Sequence, residues 1–327
     1  MLTPKENLLE TIKQDGRPDR LVNMYEPFAI LRNDPMAKFI RGRVTLGSEV
    51  ADPWGTIMTW PEGQYAAMPH ITDETKVLPD ITRWREYIRV PDLEANCTDW
   101  SEAIAARDEV DRDKYLITGH LGNGIFEQTH FLMGFEDTLT NLLIEPDYMS
   151  ELIDAIGEYK LTYAKLLIDN LKPDAILSND DWGSKNSLFM QPSLWRELFK
   201  PWYVKLYGYI KERGVMVIHH ADCFLEPIVE DMVDLGIDIW QGALPTNDIC
   251  AIQKQLNGRM TLMGGIDSGF DRPESTEAEI RGEARRVCES FGPGWHFIPC
   301  ITYGAPRTIN PKVHEILSNE IDKYNAG

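Results

Sequence analysis

The feature that most constrains the fold is a regular alternation of short apolar runs with longer helical patterns from about residue 110. No hairpin signal joins neighbouring runs, so the pattern predicts parallel strands with right-handed crossovers. A long amphipathic helix is predicted near 147–171. The predicted strands after residue 110 are YLITGH (115–120), DAILSND (174–180), VMVIHH (215–220), GIDIWQG (236–242), MTLMGGID (260–267) and WHFIPCI (295–301).

An earlier apolar run, LVNMYEPF (21–28), is predicted to be a seventh strand, and the irregular region 50–90 could supply an eighth. Seven or eight strand–helix units in 327 residues favour an α/β fold, a (β/α)8 TIM barrel in one domain spanning 1–327. The alternative is a doubly wound open sheet, which usually carries a glycine-rich phosphate loop after its first strand. The sequence contains no such G-x-G-x-x-G motif, and GHLGNG (119–124) is the nearest approach.

The region 50–90 interrupts the alternation. Its segment DPWGTIMTWPEGQYAAMPH (52–70) is rich in aromatic residues, proline and glycine, and predicts a β-hairpin inserted over one end of the barrel. One interpretation is a structural excursion with a small core of its own. The other is an element that covers the substrate, since loops above a barrel carry specificity.

Charge and composition exclude several classes of partner. The 33 basic and 52 acidic side chains give a formal charge of −19, which disfavours binding to a nucleic acid backbone. No apolar stretch approaches about 18 residues, so no membrane span is predicted. The polar N-terminus lacks a signal-peptide core, which predicts a cytoplasmic protein. Five scattered cysteines do not form a disulfide framework and predict reduced thiols.

Polar side chains gather where the predicted strands end. In a parallel barrel these carboxyl ends meet at one face, which holds the active site. The residues at the predicted ends are Glu26, His120, Asn123, Asn179, Asp180, Asp181, Trp182, His219, His220, Asp222, Cys223, Gln241, Asp267, Cys300 and Tyr303.

The segment VIHHADCF (217–224) is the most distinctive of these ends. Strand alternation points His220 and Asp222 in one direction, although Cys223 could turn inward once the strand has ended. With Cys300, this group could offer three or four nitrogen, oxygen and sulfur ligands to zinc, with one position left open for catalysis. The alternatives are a hydrogen-bonded strand end and an inert buried thiol.

The pair Asp180 and Asp181 allows two interpretations. Paired carboxylates could perform acid–base chemistry if burial or mutual repulsion raised one pKa. Equally, Asp181 could cap a following helix, because it precedes Trp182 and a turn.

Taken together, these segments resemble the uroporphyrinogen decarboxylase superfamily, a resemblance that itself implies a (β/α)8 barrel. It covers residues 110–325 well and the first 110 loosely. True uroporphyrinogen decarboxylases have an arginine-rich N-terminal segment that grips substrate carboxylates, and 21–42 lacks it. The segments that carry the resemblance are GIFEQTHFLMGFEDTLTNLLIEP, NDDWGSKNSLFMQPSLWRELFKPWY, VIHHADCFLEPIVEDMVDLGIDIWQ, LMGGID and FIPCITYG.

The other branch of the superfamily contains cobamide-dependent methyltransferases, in which zinc is held by a His-x-Cys-Gly element and a distant cysteine. The resemblance places His220 on the family histidine and Cys300 on the second cysteine. It places Asp222 on the first cysteine and Cys223 on the glycine, so this sequence departs from the pattern at one ligand. The implied zinc-ligand pool is therefore His220, Asp222, Cys223 and Cys300.

The NDDWG and HHxD elements resemble the first methyltransferase of anaerobic O-demethylase systems. This resemblance implies transfer of a methyl group from a small donor, such as a methoxylated aromatic compound, to the cobalt of a corrinoid (cobalamin) on a partner protein. Zinc would polarise the ether oxygen. Asp181, Tyr303 and Glu26 are the candidates for acid–base catalysis.

An aromatic substrate is predicted to stack on the rings of the inserted region, Trp54, Trp60 and Tyr65. Other predicted substrate contacts are Asn123, Trp182 and His219. Two alternatives stay open. One is a metal-independent decarboxylase of a tetrapyrrole or another carboxylate, with Arg307 as a candidate in an arginine-lined cavity. The other is a non-catalytic barrel that binds a corrinoid protein or a small ligand.

Overall fold

Parallel strands dominate the computed structural model, which describes residues 1–41, 44–64, 66–303 and 308–327. Tyr65 and Arg307 lie outside the described residues. In chain order the strands are β1 (Phe28–Leu31), β2 (Glu49–Ala51), β3 (Ile57–Thr59), β4 (Met68–Pro69), β5 (Leu116–His120), β6 (Ala175–Asn179), β7 (Met216–His220), β8 (Ile239–Ala243), β9 (Thr261–Ile266) and β10 (Phe297–Ile301).

Helices separate the parallel strands. They are α1 (Pro4–Ile12), α2 (Pro35–Arg41), α3 (Trp84–Tyr87), α4 (Leu93–Asn96), α5 (Ser101–Asp108), α6 (Ile125–Met133), α7 (Phe135–Ile144), α8 (Pro146–Leu171), α9 (Pro192–Leu198), α10 (Lys200–Glu212), α11 (Val229–Asp234), α12 (Ile249–Leu256), α13 (Glu277–Phe291) and α14 (Pro311–Asn325). Short 3₁₀ helices lie at Ile81–Arg83, Glu226–Ile228, Ser268–Phe270 and Gly292–Gly294. No helix among the described residues is long and apolar enough to cross a membrane.

One sheet contains seven parallel strands in the order β1-β5-β6-β7-β8-β9-β10. All residues of β5, β8, β9 and β10 are buried, as expected for strands covered on both faces. Each of the six strands predicted after residue 110 overlaps one of these strands, and the predicted parallel arrangement is confirmed. The long helix predicted near 147–171 is α8.

The prediction of a strand at 21–28 is wrong. Extended backbone begins only at Phe28, where β1 pairs with the start of β5. The preceding segment forms turns, with Met24 in the left-handed region at φ 50° and hydrogen bonds from Glu26 N to Asn23 O and from Phe28 N to Tyr25 O. Positive φ in a residue with a side chain lies outside the extended region that strands use, so the apolar run packs as a turn.

Region 50–90 does not supply an eighth parallel strand among its described residues. Instead β2, β3 and β4 form a separate three-stranded antiparallel sheet. Short helical turns follow at Ile81–Arg83 and in α3. Its proline and glycine content is consistent with strands of only two or three residues.

Two aspartates brace the amino ends of the parallel strands. Asp174, just before β6, accepts a hydrogen bond of 2.9 Å from Ile117 N on β5. Asp238, just before β8, accepts one of 2.8 Å from Val217 N on β7. Lys211 pairs with Asp238, so the amino end of the sheet uses its carboxylates for structure.

Strand β8 contains an irregularity that matters at its carboxyl end. Its register against β9 shifts between Gln241 and Ala243, and the intervening Gly242 has a φ of 100°. A Cβ at Gly242 would lie 2.7 Å from the carbonyl oxygen of Ala221. Such a bulge re-aims the neighbouring side chain, here Gln241.

Candidate metal centre

Three side chains converge where β6 and β7 end. Asp181 follows β6, His220 is the last residue of β7, and Asp222 lies two residues further along. One ligand atom from each falls within 4.8 Å of the other two. The backbone N–H of Asp222 also donates to Asp181 Oδ1 at 3.0 Å, which ties the two loops together. We call these three residues the β6–β7 triad.

Asp180, the neighbour of Asp181, holds the loop after β6 against α6. Its fully buried carboxylate accepts hydrogen bonds from Phe126 N (3.0 Å), Glu127 N (2.8 Å) and Trp182 Nε1 (2.8 Å). The Tyr203 hydroxyl donates a further one. The first two donors lie in the first turn of α6, where backbone N–H groups have no acceptor within the helix. Asp180 therefore caps the helix from outside it. Asp180, and not Asp181, is therefore the carboxylate seen in the capping role.

Negative charge accumulates around the triad. Burial raises the pKa of Asp181 well above its ordinary value, and the neighbouring Glu127 and Asp222 raise that pKa further. Burial also raises the pKa of Asp222, although His220 and Lys185 oppose that rise. Buried carboxylates of like sign need protons or a cation between them. Either protonation or a bound cation would therefore stabilise the site.

The orientation of His220 is fixed through β8. Its Nδ1 is hydrogen-bonded to Gln241 Oε1, and Gln241 Nε2 reaches the carbonyl oxygen of Thr302 at 3.5 Å. Because that carbonyl can only accept, the amide must turn its NH2 group toward Thr302 and its oxygen toward His220. His220 Nδ1 then carries the proton, and in the neutral ring Nε2 keeps its lone pair for a ligand.

The two cysteines of the predicted ligand pool are buried but do not belong to the triad among the described residues. Burial raises the pKa of Cys223 well above its ordinary value, and backbone N–H groups of Trp182 and Gly183 contact its sulfur. Burial likewise raises the pKa of Cys300, whose thiol is hydrogen-bonded to the side chain of Tyr25. Both thiols therefore favour the protonated form in the structure described here.

Two of the predicted substrate contacts, Trp182 and His219, belong to a buried aromatic cluster next to the triad residues in sequence. Trp182 and His219 are fully buried and stack at 4.1 Å with an interplanar angle of 25°. His219 Nδ1 is 2.7 Å from the Tyr207 hydroxyl, and burial lowers the pKa of His219 to about 3. The ring is thus neutral, and this pair holds the end of β7 in place.

The remaining predicted substrate contacts are spread more widely. Asn123 Nδ2 donates to Gln128 Oε1 at 2.7 Å in the loop between β5 and α6. Trp54 is buried edge-to-face against Tyr159 of α8, with ring centroids 4.9 Å apart. Trp60 is half-buried and donates to Gln64 O at 2.9 Å.

The other predicted catalytic residues have their own partners. The Tyr303 hydroxyl donates to Asp271, which also accepts a hydrogen bond from Asn310 N at 3.0 Å. Glu26 precedes β1 and pairs with Arg20 at 3.3 Å, so it does not stand at the carboxyl end of a strand. The structure brings together only Asp181 from the predicted catalytic set and His220 and Asp222 from the predicted ligand set.

Comparison with known proteins gives the family. The profile described as Uroporphyrinogen decarboxylase (URO-D) matches residues 50–324. The chain belongs to the uroporphyrinogen decarboxylase family. This confirms the resemblance inferred from the sequence. No curated protein matches the chain at a significant level.

The fold is similar to that of a solved structure, a methyltransferase from Methanosarcina mazei. The two chains are 15% identical, the match covers 99% of each, and the TM-score is 0.70. At this identity the likeness concerns the fold. This likeness in fold covers nearly the whole chain, including the part before residue 50.

Two site residues escaped the sequence-based predictions. Gln241 was recognised as a strand end but not as the partner of His220. The sequence analysis assigns Glu127 no role, although its charge raises the pKa of Asp181. The sequence does indicate a capping role for Glu127, because a glutamate three residues after the N-cap position is typical of a capping box. In the structure its carboxylate accepts a hydrogen bond of 3.0 Å from Gly124 N.

Proposed function

We propose that this member of the uroporphyrinogen decarboxylase family is a metal-dependent methyltransferase. It moves a methyl group between a small donor, a methoxylated aromatic compound in the first instance, and the cobalt of a corrinoid carried by a partner protein. The β6–β7 triad is the observation that carries the proposal, because it offers metal ligands at the carboxyl ends of parallel strands. The TIM-barrel placement of this site and the cytoplasmic location are parts of the same proposal.

The residues present suit a divalent cation. One imidazole nitrogen and two carboxylate oxygens make three protein ligands, which leaves a position open for substrate. Zinc is the cation implied by the sequence resemblance. When bound, such a cation supplies a Lewis acid that polarises the ether oxygen of the donor.

The chain's own residues have two tasks in this reaction. As the bond between the ether oxygen and the methyl carbon breaks, the reduced cobalt of the partner's corrinoid would supply the electron pair for the new bond to the methyl carbon. The oxygen keeps the pair of the broken bond and takes up one proton. Tyr303 is the proposed source of that proton, since Asp181 is one of the three metal ligands. Of the predicted aromatic contacts, Trp60 has a ring that is only half-buried, so it is our first candidate for stacking on the donor.

The direct test is a transfer assay with reduced cobalamin and a panel of methoxylated benzoates. We expect the demethylated phenol and methylcobalamin to form in equal amounts, and His220→Ala to abolish both. Cys250→Ser is the matched control, because Cys250 is exposed and is not one of the proposed ligands. Absence of product with every donor, or full activity in His220→Ala, would count against the proposal.

The family match favours a second candidate, since the family is described by its decarboxylase. In that case the protein releases carbon dioxide from a tetrapyrrole or another carboxylate without a metal. Lys185 is a described cation that acts on Asp222. Carbon dioxide release from a porphyrinogen by metal-free protein, unaffected by His220→Ala, would establish this alternative.

A further inference from the structure

We infer that the metal centre of this protein is free of thiolate ligands and holds its divalent cation through Asp181, His220 and Asp222 alone. This inference rests on the proposed function and specifies the ligand chemistry of that same site. It departs from the sequence resemblance, which implies a sulfur ligand at Cys300 and a further ligand that is either the Cys223 thiolate or the Asp222 carboxylate. It also changes the role of Asp181, from acid–base catalyst to ligand.

The first argument is the geometry of the donors. The three ligand atoms lie within 4.8 Å of one another, and neither Cys223 nor Cys300 belongs to that group among the described residues. Asp181 and Asp222 approach from the β6 and β7 loops, which the hydrogen bond from Asp222 N to Asp181 Oδ1 holds at 3.0 Å. All three ligands therefore come from two adjacent strands.

The second argument is the fixed orientation of His220. Gln241 accepts from Nδ1, and the carbonyl oxygen of Thr302 fixes the direction of the Gln241 amide. Metal-binding histidines commonly have their second nitrogen hydrogen-bonded in this way. Here that partner is Gln241, next to the bulge in β8.

The third argument concerns the thiols. The Cys300 thiol is hydrogen-bonded to Tyr25, and the Cys223 sulfur contacts backbone N–H groups of Trp182 and Gly183. Each sulfur therefore has partners that are not triad residues, Tyr25 for Cys300 and the two residues after Asp181 for Cys223. A site with only nitrogen and oxygen donors suits hard to borderline cations, such as manganese, iron(II), cobalt(II) and zinc, better than soft ones.

Cobalt(II) offers a test that does not depend on activity. The metal-free protein in a Cys250→Ser background is loaded with cobalt(II), because the exposed Cys250 could bind the probe by itself. A thiolate ligand gives an intense sulfur-to-cobalt charge-transfer band in the near ultraviolet, whereas nitrogen and oxygen ligands do not. We expect bound cobalt without that band.

Variants then assign the ligands. Cys223→Ser and Cys300→Ser should change the cobalt dissociation constant by less than about threefold, whereas Asp181→Asn should raise it about tenfold or more. The spectrum of the Cys250→Ser parent protein remains decisive even if a further variant fails to fold.

A charge-transfer band that disappears in Cys300→Ser or Cys223→Ser would overturn the inference and leave the proposed methyl transfer intact. A parent protein that binds no cobalt would also overturn it. The transfer assay separates the two failures. A negative transfer assay with cobalt still bound and no charge-transfer band would count against methyl transfer but not against the ligand set.

Discussion

At the scale of single residues, the most informative contact is between His220 and Gln241. Gln241 is buried, and the oxygen and nitrogen of its side-chain amide have different partners. It therefore selects one tautomer of His220. We expect Gln241→Leu to weaken metal binding about tenfold to a hundredfold, the usual effect of removing such a partner. Gln241→Glu is the matched control, since it keeps an acceptor for His220. Calorimetric titration would measure both, and unchanged affinity in the leucine variant would show that the contact is only structural.

His130 gives a pH dependence that can be separated from the metal site. Burial lowers the pKa of His130 to about 4, from an ordinary value of 6.5. The folded protein favours the neutral ring, so burial of neutral His130 contributes to the free energy of unfolding. That contribution is fully present above about pH 6.5 and is lost as the pH falls toward about 4. Its ring packs among Phe126, Phe131 and Phe135.

Denaturation of wild type and His130→Gln at about pH 7 and about pH 5 would test this. We expect the wild type to lose more free energy of unfolding than the variant over that interval. Equal losses would mean that His130 titrates normally in the folded chain.

Part of the candidate site was predictable at this scale. Alternation along a strand correctly placed His220 and Asp222 on one side. It could not place Asp181, because the position of that residue depends on the loop after β6 and on a hydrogen bond to a different loop. The partner of His220 was equally hidden, since a bulge at Gly242 sets the direction of Gln241.

At the scale of elements, the cap on α6 depends on a close approach between two loops. A Cβ at Gly124 would overlap Cβ and Cγ of Asp180, the carboxylate that caps the helix. We expect Gly124→Ala to destabilise the protein by about 1–3 kcal/mol and to weaken metal binding through displacement of the β6 loop.

Gly208→Ala is the matched control. It lies within α10, where an added Cβ has nothing within 4 Å. Alanine is the better helix former, so this change should stabilise the protein by up to about 1 kcal/mol. Chemical denaturation of both variants measures the contrast, and equal stability of the two would contradict the packing argument.

Prediction of the elements succeeded where the apolar runs are continuous and buried on both faces, as in β5, β9 and β10. It failed at residues 21–27, where an equally apolar run packs as turns around the positive φ of Met24. Residues 192–212 fold as two helices, α9 and α10, with Pro201 in the first turn of the second. Hydrophobic periodicity indicates which residues are buried. Burial alone does not determine whether the backbone forms a strand, a turn or a helix.

At the scale of the whole molecule, a bound cation should stabilise the fold. The chain has a formal charge of −19, and the triad places two of its carboxylates, both half-buried, at one site. At a free metal concentration of about 100 times the dissociation constant, binding contributes about 2.7 kcal/mol. We expect a rise in Tm of about 5 °C, measured by calorimetry. The same addition should leave Asp222→Asn almost unchanged, and an equal shift in that variant would place the metal elsewhere.

Metal content tests the central claim most directly. Wild type and His220→Ala would be incubated with zinc, freed of unbound metal by gel filtration and analysed by mass spectrometry of the elements. The account predicts about one zinc per wild-type chain and almost none in the variant. A wild-type protein without metal, or a variant that keeps its full complement, would contradict a metal centre at the ends of β6 and β7.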